Sequence, residues 1–264
     1  MLWQTRLLLG LDFGMDYLSS FVFLSTLFLY AAHRIVGISR LKDFFDVDRY
    51  KVIASFKWHI ILYAVIAGIG SLYCFLKLNY SLQLAMVLPG LFSLAYVIPF
   101  LGNQKRLRDI NHVKIYLIAI VWAFVTVSLP AMQVGKATTL PILLMFFERA
   151  IFIFLITLPF DIRDLKVDAF NGVKTIPAQL GLHKTLRLAY VSTFVFVLLV
   201  VINYYNHQYG SGQTLGLIAS GIITAWFVSK SSENQHDYFY SGLMDGTMIL
   251  QFLLVLLFGY ISTA

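Results

Sequence analysis

Three aspartates, Asp161, Asp164 and Asp168, stand at i, i+3 and i+7 in the stretch Leu158-Pro-Phe-Asp-Ile-Arg-Asp-Leu-Lys-Val-Asp168. If the helix that reaches Asp161 continues for two more turns, all three fall on one face. Carboxylates stacked on one face repel each other, so the arrangement asks for a cation. Mg²⁺ suits it, as a hard ion held by a few carboxylates while water and substrate phosphate oxygens complete its shell. The competing reading is a solvated acidic helix end balanced by Arg163, Lys166 and Lys174. The residues by themselves leave both open. Charges also interrupt two long apolar runs, at Glu148-Arg149 and at Asp245. At such depth they usually face a bundle interior or a wet cavity. Glu148 is expected at a cavity, with structural ion pairing inside the bundle as the alternative. Cys74 lies alone in an apolar run, which rules out a disulfide framework and reads as a small buried side chain.

The elements that must position these groups follow from composition. Hydrophobic residues make up 59% of the 264 and charged residues only 12%, with a mean hydropathy of +0.78. A soluble domain carries about 25% charged residues, so a water-soluble fold is hard to sustain. The 16% aromatic content suits membrane–water interfaces, where Tyr and Trp collect. Runs long enough to span a bilayer, about 20 apolar residues each, occur at 16–37, 57–78, 81–100, 113–133, 139–160, 184–205, 213–230 and 238–262. Backbone groups in lipid must be satisfied internally, so these runs should be helices. The expectation is an all-α, multi-span transmembrane bundle of about eight helices forming one membrane-embedded domain over 1–264. Met1–Gly10 lacks a basic start followed by a small-residue cleavage site, so no cleavable signal peptide is evident.

The net charge of +7 would be compatible with nucleic-acid binding, but its distribution argues against that. Sixteen of the 20 basic residues fall in alternate loops, around 34–57, 101–114, 161–187 and 230–237. The opposite loops hold only Arg6, Lys77 and Lys136. The positive-inside rule puts the rich loops in the cytoplasm, as in an integral protein of a bacterial-type inner (plasma) membrane. Asp161–Gly181 then lies on the cytoplasmic face.

Beyond Asp168 the chain continues Asn171-Gly-Val-Lys-Thr-Ile-Pro-Ala-Gln-Leu-Gly181. The whole pattern closely resembles the second aspartate-rich motif of the UbiA-type prenyltransferases. In that family of usually nine helices the motif follows the sixth; here it follows the fifth span, which matches a chain with one helix fewer at its front. Met1–Gly10 looks like the tail of such a helix, so the expectation is a start downstream of the natural one or a lost first helix. The resemblance implies that Asp161, Asp164 and Asp168 help bind Mg²⁺ and the diphosphate of an isoprenyl donor, with Lys174 a nearby phosphate contact. Tyr96-Val-Ile-Pro-Phe-Leu-Gly-Asn-Gln-Lys-Arg106 looks like the family's Tyr…Lys-Arg loop. A Lys105–Arg106 pair can hold a diphosphate by charge-assisted hydrogen bonds, or serve only as positive-inside anchors. Tyr238-Phe-Tyr-Ser-Gly-Leu-Met-Asp-Gly-Thr247 resembles the family's final helix, so the likeness runs from about residue 16 to the end.

The chain departs from the family at the first motif, Asn-x-x-x-Asp. That place reads Leu29-Tyr-Ala-Ala-His-Arg-Ile-Val-Gly37, with His33-Arg34 where Asp-Arg is usual. His33 can contact a phosphate when protonated, coordinate a metal when neutral, or simply cap a helix end. Asp43, Asp46 and Asp48 follow in the same loop as candidate substitute carboxylates. The activity implied is Mg²⁺-dependent transfer of an isoprenyl group from its diphosphate to an apolar or aromatic acceptor within membrane lipid. The rivals are a degenerate homologue that binds an isoprenoid or lipid without turnover, and a small transporter, for which no internal repeat is visible.

Overall fold

Among the described residues, eight helices are long and apolar enough to cross a membrane. The structure, a computed structural model, describes residues 1–40, 55–98, 106–170 and 172–262, and among these every regular element is helical. In chain order they are α1 (Leu2–Leu8), α2 (Tyr17–Arg40), α3 (Lys57–Leu76), α4 (Tyr80–Val97) and α5 (Val113–Gln133). Then come α6 (Leu140–Arg163), α7 (Leu165–Phe170), α8 (Ile176–Tyr205), α9 (Ser211–Ser229) and α10 (Phe239–Ile261). All eight expected spans are present. Large apolar side chains such as Trp58, Ile69, Phe194 and Ile249 stand exposed along them, as a lipid solvent permits. The chain divides into two compact units, Gly14–Arg108 and Met1–Phe13 with Asp109–Ala264.

In the Gly14–Arg108 unit, the Asp16 carboxylate accepts from Ser19 N at 2.8 Å and starts α2. α2 packs along α3, with Phe28 and Leu24 lying over Gly68 and Gly70. Asn79 caps α4 through Leu82 N, and Gln83 Nε2 donates back to the Phe75 and Leu78 carbonyls. Those bonds fix the tight α3–α4 turn.

In the larger unit, α6 is the central element and its side chains enter both apolar clusters. One gathers Met145, Phe152, Ile153 and Ile156 with Val127, Phe196, Leu217 and Val255. The other gathers Leu155 and Leu158 with Ile115, Ile176, Val228, Tyr240 and Met244. α9 and α10 meet at backbone distance: a Cβ on Gly216 would lie 2.7 Å from the Leu254 carbonyl oxygen. Gly212, Gly216 and Ser220 repeat every four residues on that face, the small-residue spacing that membrane helices use for close approach. Ser220 Oγ accepts from Gln251 Nε2 at 3.1 Å, a hydrogen bond between α9 and α10. The sixth span begins earlier than hydropathy suggests. Thr175 and Pro177 open a short helical turn from Ile176, and Gly181 breaks it at φ 73°, a conformation costly for any residue with a Cβ.

Candidate functional site

α6 carries Asp161 into the larger unit in its last turn and ends at Arg163; Asp164 closes it with φ −89° and ψ 8°. The chain resumes as α7, and Asp168 N donates to Asp164 O at 2.8 Å. The expected two further turns are therefore formed, with a break at Asp164. Asp161 and Asp168 do share a face. What they face is Lys114, from the first turn of α5: its Nζ lies 2.8 Å from Asp161 Oδ1 and 3.1 Å from Asp168 Oδ2. The Asp168 contact is an aligned hydrogen bond, whereas the Asp161 contact is a charge pair off that alignment. The three side chains are only 8%, 2% and 8% exposed, in the order Lys114, Asp161, Asp168.

Asp164 goes elsewhere. Arg163 Nε and Nη2 donate to its two oxygens at 2.8 and 3.0 Å. The Arg163 guanidinium also lies 5.1 Å from the Phe160 ring centre and 5.4 Å from that of Tyr240. Tyr240 in turn donates its hydroxyl to Ser232 O at 2.5 Å. Among the described residues, no three of the His, Cys, Asp and Glu side chains converge as a metal-ligand set. The carboxylates expected to hold Mg²⁺ are instead matched to cations of the chain, and as they stand the residues do not fit that ion.

The segment after Asp168 is strapped in place. Val173 N donates to Asp168 O at 2.8 Å, and His112 N to Lys174 O at 3.3 Å. Lys174 N donates to Asn111 Oδ1 at 2.7 Å. Val173 and Thr175 are buried while Lys174 between them is exposed, so the strap presents one ammonium to solvent. A groove of about 670 Å³ runs along Ile162, Leu165, Lys166, Pro177, Gly181 and Glu233. With one cation and one anion in its lining, it has no evident charge preference.

In the Gly14–Arg108 unit, His33, Tyr96 and Arg108 come together. Arg108 Nη1 donates to His33 Nε2, its guanidinium lies 5.4 Å from the Tyr96 ring centre, and the His33 and Tyr96 rings are 6.2 Å apart. Accepting from a guanidinium takes the lone pair of a neutral imidazole. That contact occupies His33 Nε2. Arg34 is exposed and Arg106 is buried. Lys105 and the proposed substitutes Asp43, Asp46 and Asp48 lie outside the described residues.

Glu148 and Arg149, the charges inside α6, are each 1% exposed. Tyr209 donates its hydroxyl to Glu148 Oε2 at 2.9 Å, and the Asn203 amide lies 3.2 Å from that hydroxyl. Burial, reinforced by the Glu148 carboxylate, pushes the Tyr209 hydroxyl well above its ordinary range, so it stays a donor. Arg149 Nη1 donates to Met1 O at 3.0 Å, and its nitrogens reach Thr126 and Thr5 at 3.5 Å. These contacts hold both groups inside the bundle, through neutral hydroxyl and carbonyl partners.

Lys114, Arg108 and Tyr209 were not singled out by sequence reasoning, and Arg163 was named only as one of the cations balancing the acidic helix end, the role it takes at Asp164. Lys114 carried a signal: it stands where the 101–114 loop overlaps the start of the 113–133 span, and a cation at the edge of an apolar run calls for a partner.

No protein-family model matches the chain, and no curated protein matches it. Solved structures do. A UbiA homologue from Archaeoglobus fulgidus bound to GPP and Mg²⁺ aligns over 100% of this chain and 95% of its own, at TM-score 0.65 and 14% identity. A digeranylgeranylglyceryl phosphate synthase aligns over 96% of this chain and 89% of its own, at TM-score 0.61 and 15% identity. The chain has the UbiA-type prenyltransferase fold. That agrees with the resemblance read from Asp161–Gly181 and with the all-helical expectation. Eight helices among the described residues long and apolar enough to span a membrane, in a UbiA-type fold, make this an integral membrane protein.

Proposed function

We propose that this protein is a UbiA-type prenyltransferase of one membrane-embedded domain, moving an isoprenyl group from its diphosphate to an aromatic or lipid-like acceptor. The observation that carries the reading is the strap from Asp168 to Lys174. The stretch that resembles the family's second motif is held at Asp168 by the buried Lys114 and at Lys174 by the surface Asn111, and it offers an exposed ammonium to a diphosphate. In support, a structure sharing this fold binds GPP and Mg²⁺.

Breaking the bond between the donor's first carbon and its diphosphate leaves allylic cation character on carbon and negative charge on phosphate. Preorganised cations aimed at the departing oxygens are the usual source of such stabilisation. Lys174 supplies one here, and Arg106, Arg34 and Lys105 are the basic groups the resemblance assigns to the same task. The apolar helices offer a dry path to the isoprenyl tail, and the positive-inside rule favours the cytoplasmic side of an inner (plasma) membrane for the basic loops. The Mg²⁺ implied by the resemblance would require Asp161, Asp164 and Asp168 to leave Lys114 and Arg163, and no step is drawn through it.

A second reading, isoprenoid binding without turnover, is favoured by one specific observation: His33, at the place of the first motif, is engaged by Arg108. Labelled farnesyl and geranylgeranyl diphosphates in nanodiscs separate the two, with and without Mg²⁺, on wild type and Lys174→Ala. Saturable binding that Lys174→Ala weakens, with diphosphate release when an acceptor is added, supports the enzyme. Binding without release supports the second reading. A folded protein that binds neither donor removes both.

A further inference from the structure

We infer that the Lys114 ammonium is the resident cation of the Asp161–Asp168 pair, so that this pair takes no divalent metal ion. The inference does not rest on prenyl transfer; it follows from three features of the larger unit.

The first is position. Lys114 Nζ stands within 3.1 Å of an oxygen from each carboxylate, at the point between them that a shared cation would take. An ammonium there offsets charge that two buried carboxylates could not otherwise carry together.

The second is enclosure. Mg²⁺ dehydrates reluctantly and keeps several waters in most protein sites. With the Lys114 side chain seated between them, carboxylates that are 2% and 8% exposed leave no open side for a hydrated ion; that side would open only where Lys114 is shortened. Lys114 also cannot withdraw by shifting its helix, because Ile115 beside it is 1% exposed and belongs to the apolar cluster of Leu155, Leu158 and Tyr240.

The third is the fate of the remaining carboxylate. Asp164 is held by both donors of Arg163, which is itself laid against Phe160 and Tyr240. A metal at Asp161 and Asp168 would therefore find no third carboxylate from this motif. Lys114 acts here as a positioning residue. It fixes Asp168, whose carbonyl receives Val173 N, and through that bond it sets where the exposed Lys174 stands.

The test uses the full-length chain in nanodiscs without donor, with Mn²⁺ as the probe. Bound Mn²⁺ is counted by electron paramagnetic resonance, and folding is checked by thermal melting. Three proteins are compared: wild type, Lys114→Gln, and the neutral triple variant Lys114→Gln/Asp161→Asn/Asp168→Asn, in which no buried charge is left unmatched. Wild type and the triple variant are expected to bind the same number of Mn²⁺ ions. Folded Lys114→Gln is expected to bind one more, with a Mn²⁺-dependent rise in melting temperature that the triple variant lacks. One more Mn²⁺ on wild type than on the triple variant overturns the inference. So does a folded Lys114→Gln that gains none, because something other than Lys114 then keeps the ion out. If Lys114→Gln does not fold, the comparison of wild type with the triple variant decides alone. Neither outcome bears on donor binding, which the labelled diphosphates measure separately.

Discussion

α6 holds buried charge at two places, and they are solved differently. Near its middle, Glu148 and Arg149 are satisfied mostly by neutral groups: the Tyr209 hydroxyl, a backbone carbonyl at Met1, and the hydroxyls of Thr5 and Thr126. At its end, Asp161 is met by a full opposite charge that it shares with Asp168. The middle cluster ties α1, α5 and the α8–α9 turn to α6 and presents nothing outward. The end cluster organises a strap that leads to an exposed cation. Burial alone therefore does not distinguish the two places; what each buried group holds in place does.

That comparison can be broken by experiment. Arg149→Ala should have the largest effect, about 3–5 kcal/mol of lost stability, because it strips several buried acceptors of their donor at once. Chemical unfolding in micelles would read it, and donor affinity of the folded fraction should not change. Tyr209→Phe removes one buried hydrogen bond to Glu148 and should cost about 1–3 kcal/mol, again without touching donor affinity. A large change in donor binding in either variant would make the middle cluster part of the site and end the contrast.

At the other end the order should reverse. Lys174→Ala should leave the melting temperature within a degree or two of wild type. It should weaken binding of an isoprenyl diphosphate roughly tenfold, about 1.4 kcal/mol, as titration of labelled donor would show. Asn111→Ala loosens the strap by one hydrogen bond and should cost about 1 kcal/mol of stability. A few-fold loss of donor affinity should accompany it, and unaltered affinity would show that the strap does not position Lys174.

The spans were legible because length and apolarity are what a bilayer selects, and their ends came within a few residues at most places. The exception, the sixth, starts at Ile176 because Thr175, Pro177 and Gly181 build a helical turn before the apolar run begins. The aspartate spacing correctly placed Asp161 and Asp168 on one face. It could not show their partner, since Lys114 is 54 residues from Asp168 in sequence and counts equally well as a topology signal. Asp164 has the same spacing credentials, yet its adjacent neighbour Arg163 takes it. Likewise, nothing local joins Glu148 to Tyr209, 61 residues on. Such pairings are fixed by how helices pack, and a pattern read along one helix does not contain them.

The stripe of Gly212, Gly216 and Ser220 on α9 sets the kind of sequence change this pair of helices can absorb. Substitutions on the opposite face, where Trp226 and Ile222 stand exposed, leave the seam with α10 intact. An inserted or deleted residue within α9 is another matter, since it turns everything beyond it by about 100°. Side chains would then be driven into the Leu254 backbone where a hydrogen atom now sits. Along α9 the length of the chain is held more tightly than the identity of its outward residues.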